Sequence, residues 1–261
     1  MMKKLFALVL VSILTLTLFA GCVEKDSGSD MAYVQGKGKL VVGITDYAPM
    51  DYQDANGEWT GFDAELARLF AEELGVECEF VVLTDWSKKF YELSTKNIDV
   101  IWNGMTITDE VKLNTNCSDP YVLNAQVLVM KASAIGQYTT VESLSGLKFA
   151  VENGSAGQDV LDAKGLKNYV ALQDQAAALM EVAAGTSDAC VIDITMAEAM
   201  TGEGTNYASL AMGVRLTEEE YGVGFRKNSD LTEKLNAFMD KLRSDGTLDK
   251  LAQKYNLTLA K

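Results

Sequence analysis

The residues best placed for chemistry lie in the segment IDVIWNGMTITDEVKLNTNCSDPY (98–121). The apolar run 99–101 predicts a buried strand. We expect this strand to break at Asn103-Gly104 into a polar loop that carries the hydroxyl groups of Thr106 and Thr108. Ligands of open α/β sheets bind beyond the carboxyl ends of strands, so a strand that ends in such a loop is typical of a binding site. An ordinary connection between a strand and a helix has the same local features, and both interpretations stay open on these features alone.

The composition excludes several other kinds of chemistry. The chain has 261 residues and no histidine, which excludes histidine-based catalytic triads and most zinc sites. Its formal charge of −14 argues against nucleic-acid binding, because phosphate contacts need clustered Lys and Arg. Cys78, Cys117 and Cys190 show no metal-ligand spacing, and we expect Cys78 and Cys190, which lie in apolar runs, to be small buried hydrophobic residues. We expect neither a metal nor a cofactor.

The N-terminal residues have the pattern of a targeting signal. Lys3 and Lys4 precede an apolar stretch at 5–19 that is too short for a confident membrane span. The following LFAGC, which ends at Cys22, resembles a bacterial lipoprotein signal, with Phe19 where Leu is usual. In such signals the cysteine is lipidated and becomes the mature N-terminus, so acyl chains would attach the protein to the membrane. Plain secretion with a chance cysteine is the alternative.

Apolar and polar residues alternate along the chain in a way that predicts strands separated by helices, and hence βαβ units. Because the same order occurs twice, we expect two α/β lobes, with extended segments at 125–131 and 219–227 as the crossings between them. The predicted strands are 39–44, 79–83, 99–102, 147–151, 169–172 and 189–192. The predicted helices begin near Asp63, Trp86, Gln158, Gln175, Thr195 and Leu231. The expected division is a signal at 1–22, a polar tether at 23–38, a first lobe at 39–127 plus 226–261, and a second lobe at 128–225.

Seven short segments along the chain form a recognisable set. They are GFD (61–63), NIDV (97–100), GMTITDE (104–110), CSDPY (117–121), DACVID (188–193), YGVGFRK (221–227) and DGTL (245–248). In this order and spacing they resemble the solute-binding proteins of amino-acid ABC importers, the family of the glutamine- and lysine/arginine/ornithine-binding proteins. The resemblance runs from about residue 39 to 255. The resemblance implies a two-lobed periplasmic binding protein type II fold, an α/β fold in which each lobe has a mostly parallel sheet flanked by helices.

The resemblance also implies a ligand cleft between the lobes, which closes on the ligand by a hinge at the crossings. The closed form is what the importer's membrane subunits recognise. The positions that would contact the ligand are Asp46, Tyr47, Trp86, Asn103, Gly104, Met105, Thr106, Val111, Glu152, Ser155, Ala156 and Asp193.

The resemblance gives some of these positions a role. Tyr47 and Trp86 match aromatic residues that hold the ligand side chain, although each is also a plausible core residue. Gly104 and Thr106 match positions that contact the amino and carboxylate groups. Asp193 matches the acid that pairs with the α-ammonium, and a helix N-cap is the alternative role. The matched loop at Ser155 and Ala156 donates backbone N–H groups at a helix start, a favourable place for a carboxylate.

The sequence departs from the family pattern at three places. Val111 stands where the family usually carries an Arg that forms a bidentate pair with the α-carboxylate. Because hydrogen bonds to charged groups contribute ~1.5–3 kcal/mol, its loss would weaken an amino acid ~10- to 100-fold unless Lys112 or backbone donors replace it. Glu152 stands where relatives often have a polar or basic residue. The first loop is one residue shorter than usual, which affects the role of Asp46.

A cleft that has lost a cation and retains the acids Asp193, Glu152 and Asp46 favours an amine-bearing ligand, and an ordinary amino acid held by other donors is the alternative. We expect an extracytoplasmic, lipid-anchored monomer that is not an enzyme. Two other functions remain to be weighed. One is an enzyme similar to cyclohexadienyl dehydratases, which have the same fold and for which Glu152 or Asp193 would be the general acid. The other is an extracellular sensor domain, which the absence of a signalling segment after Lys261 disfavours.

Overall fold

The computed structural model describes residues 28–261, so the predicted signal and Cys22 lie outside the described residues. The strands are β1 (Lys39–Ile44), β2 (Tyr52–Gln53), β3 (Trp59–Thr60), β4 (Glu77–Val82), β5 (Val100–Thr106), β6 (Asn116–Cys117), β7 (Val122–Asn124), β8 (Gln126–Lys131), β9 (Phe149–Glu152), β10 (Tyr169–Leu172), β11 (Ala189–Asp193), β12 (Leu210–Arg215) and β13 (Glu219–Phe225). The helices are α1 (Asp30–Lys37), α2 (Phe62–Leu74), α3 (Lys89–Ser94), α4 (Asp109–Asn114), α5 (Ala156–Ala163), α6 (Gln175–Ala184), α7 (Ile194–Met200), α8 (Leu231–Ser244) and α9 (Thr247–Lys254). Within the described range, no helix is long and apolar enough to cross a membrane.

Two sheets define two lobes. The first has the order β4-β1-β5-β13-β6, with β7 also paired to β13, and the second has the order β10-β9-β11-β8-β12. β1 is parallel to β4 and β5, and β9 is parallel to β10 and β11. β13 and β8 join their sheets antiparallel to their neighbours. The predicted α/β fold class is therefore confirmed, with mixed rather than mostly parallel sheets.

The chain crosses between the lobes at two short places. β7 ends in the first sheet and β8 begins in the second, so the first crossing is Ala125. The return lies at 216–218, between β12 and β13. The segments predicted as crossings are thus largely strands β8 and β13, one in each sheet. Residues 219–225, assigned above to the second lobe, belong to the first sheet because β13 pairs with β5.

Elements with a strong local pattern have the predicted bounds. β1 and β10 begin and end where predicted, and α6 begins where predicted. α2 ends at Gly75, whose φ of 73° is the left-handed conformation that glycine adopts at a helix end. α2 begins at Phe62, one residue before Asp63, and the Asp63 side chain is buried in the first lobe.

The predicted tether is wrong for residues 30–37, which form α1. Polar composition suggested a linker, but the Ser29 side chain caps the helix by accepting from Ala32 N at 3.0 Å. A tertiary ion pair holds the helix in place. Arg226 Nε lies 2.9 Å from Asp30 Oδ1, and Arg226 Nη2 lies 3.2 Å from Asp99 Oδ1. The Asp99 carboxylate is fully buried and Asp30 nearly so.

Replacing Arg226 should therefore destabilise the fold. Arg226→Met leaves Asp30 without its cation, and we expect the free energy of unfolding to fall by about 3 kcal/mol, because breaking a buried pair strands a charge. Urea denaturation measures this. Arg215→Met is the matched control, since Arg215 pairs with Glu218 at the surface and should change the free energy by less than about 1 kcal/mol. Equal losses in the two variants would contradict the anchoring role of Arg226.

Candidate functional site

A cavity lies between the lobes, where the carboxyl end of β5 faces the carboxyl ends of β9 and β11. It contains about 450 Å³ of space between protein atoms, part of it open to solvent. Residues of both lobes line it. The first lobe contributes Trp86, Lys89, Asn103, Gly104, Met105, Thr106, Thr108, Glu110 and Val111, and the second contributes Glu152, Gly154, Ser155, Ala156, Asp159, Gln175 and Asp193. All predicted site residues except Asp46 and Tyr47 are in this set.

Strand β5 carries the first wall, and it continues through Asn103-Gly104 rather than breaking there. It continues because β13 pairs with it on both sides of this point, with a shift of register between Gly222 and Gly224. Gly104 has a φ of 55°, and a Cβ at this position would lie 2.5 Å from the Tyr47 ring. The position therefore requires glycine.

Polar groups of this wall already have protein partners. Gly104 N donates to Asp63 Oδ2 at 2.6 Å, and Thr106 Oγ1 donates to Glu219 Oε2 at 3.0 Å. The Asn103 amide makes two hydrogen bonds with Thr45. These hydrogen bonds hold the wall in its shape.

Asp193 lies at the end of β11 and accepts hydrogen bonds from three side-chain amides. Gln126 Nε2 donates at 2.7 Å, and Asn124 and Gln175 donate at shorter range. Its side chain makes no N-cap bond to α7, so the amides, not the helix, hold the carboxylate. Burial, with the nearby Glu219 charge, raises the pKa of Asp193 to about 6, while the amides oppose this rise.

Glu152 is the second acid of the cavity, and it is less well paired. The residue is 4% exposed, and its Oε1 has no hydrogen-bond partner among the described residues. Burial is the main cause that raises its pKa well above the usual range, followed by the charges of Asp193 and Asp174. A buried carboxyl oxygen without a donor, in the wall of a cavity, is a group available to a ligand.

Sequence reasoning missed Lys89, whose side chain is 4% exposed. Its Nζ donates to Gly154 O, in the opposite lobe, at 3.0 Å and lies 5.0 Å from the Trp86 ring centroid. The expectation that the cleft had lost its cation is therefore wrong, because α3 supplies one. A signal was present: Lys89 follows Trp86 by three residues in a predicted helix, which places both on one side of it.

Other cavity residues were also missed. Gln175 was predicted only as the start of a helix, yet its amide holds Asp193. Glu110 and Asp159 are exposed residues of opposite lobes that line the same cavity. Each charge acts on Lys89 and raises its pKa, whereas burial has the larger, opposite effect and lowers it. No local pattern distinguishes these acids from ordinary surface carboxylates.

Asp46 and Tyr47 lie outside the set that lines the cavity. Asp46 is exposed. The Tyr47 hydroxyl is 2.6 Å from Thr195 Oγ1, in the other lobe, and also hydrogen-bonds the Tyr221 hydroxyl. Asn153 Nδ2 also reaches across the cleft, to Asp85 Oδ1 at 3.2 Å. The lobes are thus in direct contact, as in a closed cleft.

Two mixed α/β sheets joined by short crossings, with a polar cavity between them, define a periplasmic-type binding protein. A family profile described as bacterial extracellular solute-binding proteins, family 3, matches residues 40–258. The chain belongs to this family, and it is therefore an extracytoplasmic binding protein.

Individual relatives agree with this assignment. The L-cystine-binding protein TcyJ of Escherichia coli K12 is 29% identical over 252 residues, which cover 94% of each chain. A crystal structure of a variant of ArgBP from T. maritima has a TM-score of 0.81 at 33% identity and covers 87% of this chain and 98% of that one. An ancestral amino acid-binding protein, described as a precursor of cyclohexadienyl dehydratase, has a TM-score of 0.79 at 32% identity and covers 87% and 99%. Because the curated relatives are binding proteins, the expectation that this chain is not an enzyme is confirmed.

A pair of buried carboxyl groups supports the β5 wall from behind. Asp63 accepts from Gly104 N and from the Tyr121 hydroxyl, and burial raises the pKa of Asp63 to about 7. Neither carboxyl oxygen of Asp51 has a hydrogen-bond partner among the described residues. Burial and then the Asp63 charge raise the pKa of Asp51 as well. The native state therefore retains protons that the unfolded chain loses near pH 4.

This difference in proton binding predicts how stability changes with pH. The contribution of the pair is fully present below about pH 4 and is lost as the pH rises through about 7. Asp51→Asn removes one of the two groups. We expect the variant to gain stability relative to the wild type as pH rises over this range, by up to about 1.4 kcal/mol per pH unit. Urea denaturation at several pH values measures the difference, with the exposed Glu58→Gln as control. A difference that is constant with pH would contradict the prediction.

Proposed function

We propose that this protein is the solute-binding component of an amino-acid ABC importer, and that its ligand is an amino acid with a second positive charge. The observation that carries this proposal is the pair of buried carboxyl groups, Asp193 and Glu152, in the cavity between the lobes. The protein would act as a monomer that closes on the ligand and delivers it to the importer's membrane subunits.

The two acids suit two different cationic groups of the ligand. Asp193, with a pKa of about 6, is largely ionised at neutral pH and suits the α-ammonium. Burial and the charges of Asp193 and Asp174 raise the pKa of Glu152 and so favour its neutral form, and a ligand cation at its free Oε1 would favour the ionised form. Trp86 adds an aromatic wall, against which a cationic side chain packs favourably.

The presence of Lys89 favours an amino acid over a simple amine. The sequence alone left open an amine-bearing ligand without a carboxylate, because Val111 supplies no charge. The cavity nevertheless has a cation, and a simple amine would be repelled by it without compensation. Solved structures of ArgBP from T. maritima hold arginine, and a Streptococcus pneumoniae binding protein holds histidine, so ligands of this kind fit the fold.

Calorimetric titration with L-arginine, L-lysine, L-histidine, L-glutamine, L-cystine and the amines agmatine and cadaverine tests this proposal. We expect one of the cationic amino acids to bind most tightly, and Asp193→Asn to weaken it roughly 10- to 100-fold, because a charge-assisted bond to the ammonium is lost. Glu152→Gln should weaken the cationic amino acid more than it weakens glutamine. Glu198→Gln, an exposed residue of α7, should change neither. Tightest binding of a neutral amino acid or of an amine would contradict the proposed ligand class.

We also propose that the protein is anchored to the outer face of the cell membrane through Cys22, with residues 23–29 as the tether to α1. The support is the LFAGC pattern at the end of the apolar N-terminal stretch. In cells that express the full chain, Cys22→Ala should abolish metabolic labelling with palmitate and release the protein from the membrane fraction. Cys78→Ala, a change of a partly buried cysteine of β4, is the control. Unchanged labelling of Cys22→Ala would argue for plain secretion.

A further inference from the structure

The Lys89 side chain reaches from α3 into the cleft. Its ammonium lies 4.6 Å from the Phe90 ring centroid and 5.0 Å from that of Trp86. Nζ donates to Gly154 O at 3.0 Å and has a longer contact, 3.5 Å, with Trp86 O. Both acceptors are neutral carbonyl groups, so one of the three ammonium hydrogens has no acceptor among the described residues.

This ammonium is buried without an anionic partner. Within the described residues, no carboxylate oxygen lies within 4.0 Å of Lys89 Nζ, whereas other lysines, such as Lys37, have such a contact. Burying a charge is costly unless it is paired and hydrogen-bonded, and buried lysines without a partner are accordingly rare. An anion that enters the cavity would supply the partner that the Lys89 ammonium lacks.

The position of Lys89 restricts what that anion is. Lys89 is the only Lys or Arg in the set of described residues that line the cavity. Its contact Gly154 stands two residues before α5, whose first turn also faces the cavity through Ala156. The N-terminus of a helix carries a partial positive charge and free N–H groups. A carboxylate placed here would meet the ammonium of one lobe and the helix start of the other.

Given the amino-acid ligand proposed for the cleft, we propose that Lys89 Nζ binds the α-carboxylate of the ligand from α3, on the wall where Val111 of α4 provides no charge. Asp193 and Glu152 then hold the two cationic groups, and the three charged side chains set the direction in which the ligand lies. Because Nζ also contacts Gly154 across the cleft, the same lysine joins the ligand carboxylate to the closed arrangement of the lobes.

Paired probes with and without a carboxylate charge test this role. L-arginine, L-lysine and L-histidine are each compared with their carboxamides by calorimetric titration. The pH is chosen so that the α-amino group is protonated in both the acid and the amide. For the tightest pair, we expect the wild type to prefer the acid by roughly 10- to 100-fold. Lys89→Met should weaken the acid by a similar factor and change the affinity for the amide less than about threefold, so that the preference disappears. Lys89→Arg should retain part of the preference, because the charge remains.

Lys88→Met is the matched control, since Lys88 precedes Lys89 in the chain, is exposed and pairs with Asp85. It should leave both affinities unchanged. Equal weakening of acid and amide in Lys89→Met would show a structural role and overturn the inference, as would a wild type that does not distinguish the two probes. If no amino acid or amide binds the wild type, the proposed function itself has failed, and this is visible before any variant is made.

Circular dichroism shows whether Lys89→Met folds. A second measurement uses only the wild type and so does not depend on the variant. The ¹³Cε resonance of Lys89 is followed against pH in the wild type, with acid or amide bound. A bound carboxylate stabilises the ammonium, so the pKa of Lys89 should rise with the acid and not with the amide. Identical titration of Lys89 in the two complexes would overturn the inference.

Discussion

The cost of burying a charge without a partner governs this cleft. Lys89, Glu152 and Asp193 are each at least 95% buried, and each sits in the wall of one cavity. Asp193 is the best paired of the three, since three side-chain amides donate to it and about one of its four acceptor positions is left for a ligand. Within residues 28–261, the Lys89 ammonium donates only to neutral carbonyl groups, and Oε1 of Glu152 has no hydrogen-bond partner. In the empty closed cleft these deficits oppose closure, and a ligand of complementary charge removes them.

The scaffold fixes these side chains through backbone groups that are already satisfied. Asp63 takes the N–H of Gly104 behind the first wall, and β13 pairs with β5 on both sides of that residue. Because rearranging the wall would break these hydrogen bonds, the ligand meets preformed positions, and closure is a movement of one lobe relative to the other. The short crossings at Ala125 and 216–218, together with the Tyr47 hydroxyl on Thr195, are where the two rigid lobes meet. Rigid lobes and short crossings are the usual basis of hinge closure around a ligand.

The sequence predicts the elements whose signals are local. β1 and β10 have the predicted bounds and α6 has the predicted start, because local sequence patterns define them. α1 was missed because its support is tertiary: Arg226 of the distant β13 end pairs with Asp30. The strand β5 was cut short for the same reason, since pairing with β13 overrides the Asn-Gly signal for a turn. Local patterns carry no information on contacts between residues so far apart in the chain.

The residues that line the cavity were predictable where the family pattern and the strand ends agree, as at Trp86, Ser155 and Asp193, and also at Glu152, which departs from the family pattern. Lys89 was missed although its spacing from Trp86 places both residues on one side of the predicted helix, because a lysine beside a second lysine on a short helix has the pattern of a solvated surface. Its burial follows from the approach of Gly154, a residue of the other lobe whose Cβ position lies 2.7 Å from Ser87.

Lys89 of α3 would offer a carboxylate a different kind of cation from the Arg that the family usually carries at the position of Val111 in α4. A guanidinium fork fixes a carboxylate in one plane, whereas an ammonium is a point charge that accepts it in many orientations. A cleft that uses Lys89 must therefore fix the orientation of the ligand by other means. If Asp193 and Glu152 hold the two cationic groups as proposed, they provide two more points of contact, and three points determine how a ligand lies. Selectivity in such a cleft comes from the spacing between one cation and two acids, so that a ligand with a single ammonium leaves Glu152 unpaired and binds less well.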